Sequence, residues 1–349
     1  MKRKWIVALC LPIVACFIVA GFGEAAAAAK KVKLIFHTPT AENAINHRAS
    51  LQLKKMLEEG SNGQIQLDVY TGGTLFGGDR ETIEAMQRGD ATFCIIATAP
   101  YVMFEPKVAV FDIPFIFDAA ADTMATMDIV EDFLTSPEGK AAMQPVFGDL
   151  PKKGIMPLAF ANQGFRELTA NKAVQKVADL KGIKIRTMEN KYHMAAWKLL
   201  GANPTPMAFT EVFTALEQGT IDAQENPYEL IYTSKFYEVQ KYIVNTHHIP
   251  SVHIFACSKR VYDSLSPELQ KLVSDSMEKT ARWYANEAKN SLLEKEKLMV
   301  AGKATILNIT PENYAEFRTT TQPVVDMVKK DVGDAIVDTM LKAVAARRK

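Results

Sequence analysis

Cysteine is scarce in this chain, with four in 349 residues, and two of those, Cys10 and Cys16, fall in the apolar N-terminal stretch. Only Cys94 and Cys257 remain in the body of the chain, each inside an apolar, strand-like run. Two cysteines make no disulfide scaffold, so two buried thiols are expected. Net charge is equally scarce: 41 basic residues face 40 acidic ones. Such a balance sets up no field that would gather nucleic acid, and no nucleic-acid partner is expected. Catalytic signatures are missing as well. There is no GxSxG, no paired catalytic cysteine and histidine, and no kinase set. Gly72, Gly73, Gly77 and Gly78 lack the lysine of a P-loop and the spacing of a dinucleotide fingerprint, and read as a turn. His247, His248 and His253 are close together, but they match neither HExxH nor a zinc-finger pattern. No metal, no cofactor and no catalysis are expected.

What is present begins with a leader. Lys2, Arg3 and Lys4 precede a nearly continuous apolar run to Phe22 and an alanine tract from Ala25 to Ala29. This is the layout of a secretory signal peptide over residues 1–29, and it places the mature protein in the periplasm. Two alternatives share the segment: an uncleaved anchor, since the run approaches the ~20 residues that span a bilayer, and a lipid anchor at Cys16, since Ile13, Val14, Ala15 and Cys16 fit a lipobox. Pro12, the alanine tract and the apolar run beyond Cys16 favour ordinary cleavage near Ala29.

The length exceeds one ordinary core and fits two domains of average globular composition, with 48% hydrophobic and 23% charged residues. Val32 to Thr38 is an apolar strand. Ala44 to Glu59 carries Ile45, Ala49, Leu53, Met56 and Leu57 at helical spacing. Gln64 to Tyr70 alternates, Asp79 is placed to cap a helix ending at Gly89, and Ala91 to Ala97 is apolar on both faces. Strand and helix in alternation predict an α/β lobe with a parallel sheet covered on both sides. VFDIPFIF, Val110 to Phe117, is too apolar for a free loop and is expected to pack on that sheet.

A second series follows: Ile155 to Phe160, Gly182 to Met188 and Ile221 to Asn226, with helices over Asn190 to Leu200 and Thr210 to Gln218, each closed by a glycine. Lys241 to Ser258 reads as extended. Ser266, Pro267 and Glu268 then open a helix with an N-cap, a first-turn proline and a first-turn acid, uninterrupted until Gly302. At ~1.5 Å per residue it reaches about 50 Å, longer than one lobe needs, and it is expected to run along both. The tail after Ile306 adds a strand and helices. The expected division is residues 30–163 plus 252–291 for lobe one, and 164–251 plus 292–349 for lobe two.

Ligands of α/β sheets settle beyond the carboxyl ends of the strands. Arg186 ends the strand GIKIRTM on the face opposite Ile183 and Ile185; a solvated arginine is the ordinary outcome on a surface strand, whereas a strand between apolar neighbours is covered on both faces and a covered guanidinium needs an anion. Asn226 ends IDAQEN before Pro227, where a turn cap is the simpler role on sequence alone and a ligand contact the alternative. Glu225 beside it reads as a hinge or surface acid. Arg166 follows Gly164 in NQGFREL, where an ordinary salt bridge is the simplest role. His37, near the end of the first strand, fits a core histidine as well as a ligand contact.

The blocks LKGIKIR, GANPTPMAFTEVFTALEQGTIDAQENP, KFYEVQKYI and FDIPFIF resemble the solute-binding protein of a TRAP (tripartite ATP-independent periplasmic) transporter, over essentially the whole mature chain. The resemblance implies a two-lobed periplasmic binding protein fold with mainly parallel sheets, and a receptor that hands a small organic acid to a membrane permease; a monomer is expected. It implies that Arg186 clamps a carboxylate, with Asn226 and Arg166 beside it and Phe209 packed on the ligand. Sialic-acid-binding members carry an acid after the third strand, where this chain has Ala97 and Thr98, and that departure argues against sialic acid. The expected ligand is a uronate, an aldonate or a C4-dicarboxylate, with His37 and Thr98 meeting its hydroxyls. Two other classes stay open: the receptor of an ATP-driven importer, which would lack the QENP block, and a secreted enzyme acting on a carboxylate.

Overall fold

The structure is a computed structural model that describes residues 31–118 and 122–347. The leader and Cys16 therefore lie outside the described residues. The strands are β1 (Val32–His37), β2 (Ile65–Tyr70), β3 (Phe93–Ala97), β4 (Ile155–Phe165), β5 (Glu167–Ala170), β6 (Lys184–Thr187), β7 (Asn203–Pro206), β8 (Ala223–Asn226), β9 (Tyr242–Asn245), β10 (Pro250–Ser258) and β11 (Thr305–Asn308).

They form two sheets, ordered β2-β1-β3-β10-β4 and β11-β9-β5-β8-β6-β7. In the first, β1 is parallel to β2 and β3, as the alternation of strand and helix requires. β10 then returns antiparallel between β3 and β4. In the second, β6 is parallel to β7 and β8, β9 is parallel to β11, and β5 runs antiparallel to β8 and β9. All nine residues of β10 are buried, the condition of a strand with a neighbour on each edge and cover on each face. The helix Ile45–Gly60 packs on this sheet through Ile45, Ala49, Leu53 and Leu57, one every fourth position and hence one stripe.

Three connections join the sheets. β4 ends in the first at Phe165 and β5 starts in the second at Glu167; β9 and β10 cross in the reverse direction. The third is the helix Pro267–Ala301, 35 residues long, whose first free N–H groups include that of Leu269, donated to Ser266 Oγ. Its Leu269, Val273, Met277 and Tyr284 sit in the core beside β1 and β3, whereas Met299 packs with Val212, Ile231 and Ile243 near the second sheet. The expected spine along both lobes is therefore present.

Some boundaries differ from expectation. β4 runs five residues past Phe160, because Ala161 to Phe165 keep pairing with β10. The short strands β5 and β7 carry too few apolar residues to announce themselves. The block VFDIPFIF is a 3-10 turn, Pro106–Asp112, followed by a bend, and its side chains fill the core with Phe133 and Ile254. The tail is shared between the sheets. Tyr314 and Phe317 of the helix Pro311–Thr321 pack with Leu168 and Ile185, whereas Val324, Val328, Val337 and Met340 of the last two helices join the core containing Phe111 and Ile254. Apolar stripes on tail helices show that they pack, but not on which partner. Cys94 and Cys257 are buried free thiols, and among the described residues no helix is long and apolar enough to cross a membrane.

Candidate ligand-binding site

β6 places Ile185 in the core of the second sheet and turns Arg186 to the opposite face. Arg186 is nevertheless 2% exposed. Its Nε and Nη2 donate to the carbonyl of Met207 at 3.0 and 2.6 Å, while Nη1 has no partner among the described residues. Burial, then the neighbouring Arg166, pull its pKa down to about 10, so it stays charged at neutral pH.

Arg166 occupies the crossing from β4 to β5. Gly164 just before it has φ +111°, a backbone conformation that suits glycine and sets the turn. The guanidinium is held edge-on by Glu225: Nε donates to Oε2, and Nη2 donates to Oε1 at 2.9 Å. Nη2 also donates to Asn226 Oδ1 at 3.1 Å, and Asn226 Nδ2 donates to Gln224 Oε1 at 2.5 Å. Glu225 is fully buried, which corrects its reading as a hinge or surface acid: β8 lies between β5 and β6, where no surface is available. Burial pushes its carboxyl up, but Arg166, together with hydrogen bonds from His193, His248 and Arg166, outweighs this and holds it well below the usual carboxylate range. Of the two guanidiniums, Arg166 is neutralised inside the protein, and Arg186 keeps an open donor.

Arg186, Arg166, Asn226 and Phe209 line one cavity, closed on the side of the first sheet by Asp79, Asn46, Ala97 and His253. Phe209 begins the 3-10 turn Phe209–Glu211, with its ring edge-on to Phe236 at 5.9 Å. The structure does not bring His37 or Thr98 to this wall. His37 is buried behind it, with Nδ1 2.9 Å from Thr82 Oγ1 and its ring edge-on to Phe76; burial alone takes its pKa down to about 4 and keeps it neutral. Thr98 is buried just beyond β3, where its neighbour Ala97 faces the cavity instead.

Asp79 does not cap its helix, contrary to the expectation from sequence. Gly78 is the cap residue of the helix Asp79–Arg88, with no side-chain cap bond, and Asp79 looks into the cavity. Burial raises its pKa to about 6, against the pull of Arg186 and Arg166. Asn46 and His253 were also missed. An asparagine in a helix's first turn and a histidine within an apolar strand carry no local sign of a ligand wall, and only the meeting of the two sheets puts them there.

The cavity mouth is latched. Thr210 Oγ1 donates to the carbonyl of Gly77 at 2.8 Å, and Asn190 Nδ2 donates to Ala99 O at 3.0 Å and Asp112 Oδ2 at 2.7 Å. The glycine turn read from the sequence is the lip of this contact: a Cβ on Gly73 would meet Thr210 Cγ2 at 2.9 Å. Free space inside is about 30 Å³, room for a water or two and not for an organic acid, so entry requires the two sides to part.

The family model described as bacterial extracellular solute-binding protein, family 7, matches residues 36–331. The 2,3-diketo-L-gulonate-binding periplasmic protein YiaO of Escherichia coli (strain K12) is 34% identical over 263 residues, covering 74% of this chain and 75% of its own. The sugar acid binding protein DctPAm from Advenella mimigardefordensis, solved in complex with galactonate, superposes with a TM-score of 0.80 at 30% identity, covering 91% of this chain and 99% of its own. A TRAP periplasmic solute binding protein from Shewanella oneidensis, with bound succinate, gives a TM-score of 0.82 at 26% identity, covering 90% and 99%.

Proposed function

We propose, from the premise that this chain belongs to bacterial extracellular solute-binding protein family 7, that it captures a small organic acid in the periplasm and delivers it to a TRAP membrane permease. The observation that carries the reading is the asymmetry of the two arginines. Arg166 is satisfied by Glu225, while Arg186, equally buried, keeps Nη1 without a partner. A buried, charged donor aimed into a cavity is matched by a carboxylate. In this reading the ligand carboxylate meets Arg186 and Asn226, Arg166 supports Asn226, and Phe209 covers the carbon skeleton. The partially open Asp79 accepts from a hydroxyl on the far side. A relative whose name states 2,3-diketo-L-gulonate, and solved neighbours holding galactonate and succinate, support a sugar acid or a C4-dicarboxylate.

The moving parts are two lobes. Lobe one is residues 31–163 plus 252–291, lobe two 164–251 plus 292–322, with the last two helices riding on lobe one, where their apolar stripes are buried. Opening breaks the Thr210 to Gly77 latch and hinges at the three sheet-to-sheet connections. No chemical step is assigned: the protein binds and releases.

A thermal-shift screen of galactonate, 2,3-diketo-L-gulonate, galacturonate and succinate tests this, since a ligand that binds only the folded state raises Tm by mass action. At least one acid is expected to raise Tm saturably, and galactose, the uncharged counterpart, is not. Equal response to galactose would remove the carboxylate from the reading.

A further inference from the structure

Away from Arg186, a second cavity of about 170 Å³ lies at the hinge. All three connections between the sheets contribute to its wall: Gln163 and Glu167 at the β4 to β5 crossing, His247 at the β9 to β10 crossing, and Leu292 and Glu296 on the long helix. Carboxylates come from Glu167, Glu296 and Asp122, and neither lysine nor arginine lines it. Glu167 is engaged, with Oε1 2.5 Å from His247 Nδ1 and Oε2 accepting from the His247 backbone N–H at 2.8 Å. Asp122 caps the helix Thr123–Thr135 by accepting from Ala125 N–H. Glu296 is in no ion pair or hydrogen bond with the described residues.

Gln163 is the second observation. It is 3% exposed, and neither its Nε2 nor its Oε1 has a partner among the described residues. An amide buried in this way calls for a partner that the chain itself does not supply. An anion would meet three carboxylates, and the one basic side chain on the wall, His247, is already paired with Glu167. A metal ion is no better matched, because the described residues gather no group of three or more histidine, cysteine, aspartate or glutamate side chains suited to hold one. The apolar part of the wall, Phe165 and Leu292, suits a short hydrocarbon body.

We infer that this hinge cavity binds a small organic ammonium ion, which donates to Glu296 and to Gln163 Oε1 and rests its alkyl chain on Phe165 and Leu292. An occupant of this kind joins the β4 to β5 crossing to the long helix, with His247 of the remaining connection on the same wall.

The probe is n-butylammonium chloride, titrated into the purified protein by isothermal calorimetry, with sodium chloride at matched ionic strength as the comparison. Saturable binding of one equivalent is expected for butylammonium alone. Glu296→Gln, which removes the free charge from a half-exposed helix position, is expected to weaken it by about tenfold or more, the ratio expected for a lost charge-assisted bond. Gln163→Leu is expected to weaken it as well; should that variant fail to fold, Glu296→Gln decides. Absence of saturation in the parent protein, an equal response to sodium, or unchanged affinity in Glu296→Gln would overturn the inference and leave water as the partner of Gln163.

Discussion

Arg166 and Glu225 form a two-pronged pair in which both side chains are almost completely buried, 2% and 0% exposed. Neither charge can be lost alone, because the survivor would stay in a medium that cannot solvate it. Glu225→Gln is therefore expected to cost about 3 to 5 kcal/mol of stability, read from urea unfolding. The pair's contribution also has a sign in pH. Glu225 titrates well below its ordinary value in the folded protein, so its stabilisation is complete above pH 4.5 and is lost only as pH falls far below that. A loss under about 1 kcal/mol would place the pair among weak surface contacts.

Arg186 is expected to dominate ligand affinity. Replacing it with alanine leaves a ligand carboxylate unpaired in the closed cavity, worth ~3 to 5 kcal/mol, or roughly two to four powers of ten in Kd. Arg186→Lys is also expected to bind poorly, since an ammonium cannot hold Met207 O and a carboxylate with one planar fork. Titration calorimetry with the best acid from the screen measures both; a loss below about tenfold for the alanine variant moves the clamp elsewhere.

Asp79 gives a pH signature of opposite sign to Glu225. A carboxyl raised to about 6 on folding costs stability above that pH, and the cost vanishes as pH falls toward its ordinary 3.8. Asp79→Asn is accordingly expected to raise Tm of the ligand-free protein at about pH 8 and to give no gain at about pH 4. If the variant melted lower at the higher pH, attraction to Arg186 and Arg166 would outweigh burial.

Thr210 holds the latch. Thr210→Val keeps the shape against Gly73 but removes the hydrogen bond to Gly77 O. A bond of ~0.5 to 1.5 kcal/mol favouring the closed form corresponds to roughly a two- to tenfold weaker Kd. The change should appear in the dissociation rate by stopped flow, and an unchanged rate would mean that the latch plays no part in retention.

Local signals along the chain were enough to set the units of this protein. The caps, prolines and glycines that start and stop helices act within a few residues, so the long helix from Pro267 was legible to its last residue, and the alternation of strand and helix was enough for a parallel β1, β2, β3. The face of Arg186 was legible as well, because Ile183 and Ile185 of the same strand turn the other way, but its burial was not. Which side chains meet across the two sheets depended on the folded chain. Glu225 is a surface acid in one dimension and a buried counter-ion in three, since β5 and β6 arrive on either side of it from distant parts of the chain. Asp79 looks like a helix cap until the second sheet brings Arg186 and Arg166 in front of it. His37, placed by its position near a strand end, and Thr98, placed by the family resemblance, are buried off the wall, and at β3 it is Ala97 that faces the gap. Local signals act over one helical turn or one strand pair, whereas the cavity is assembled from side chains more than a hundred residues apart, and charge and burial there depend on both sheets at once.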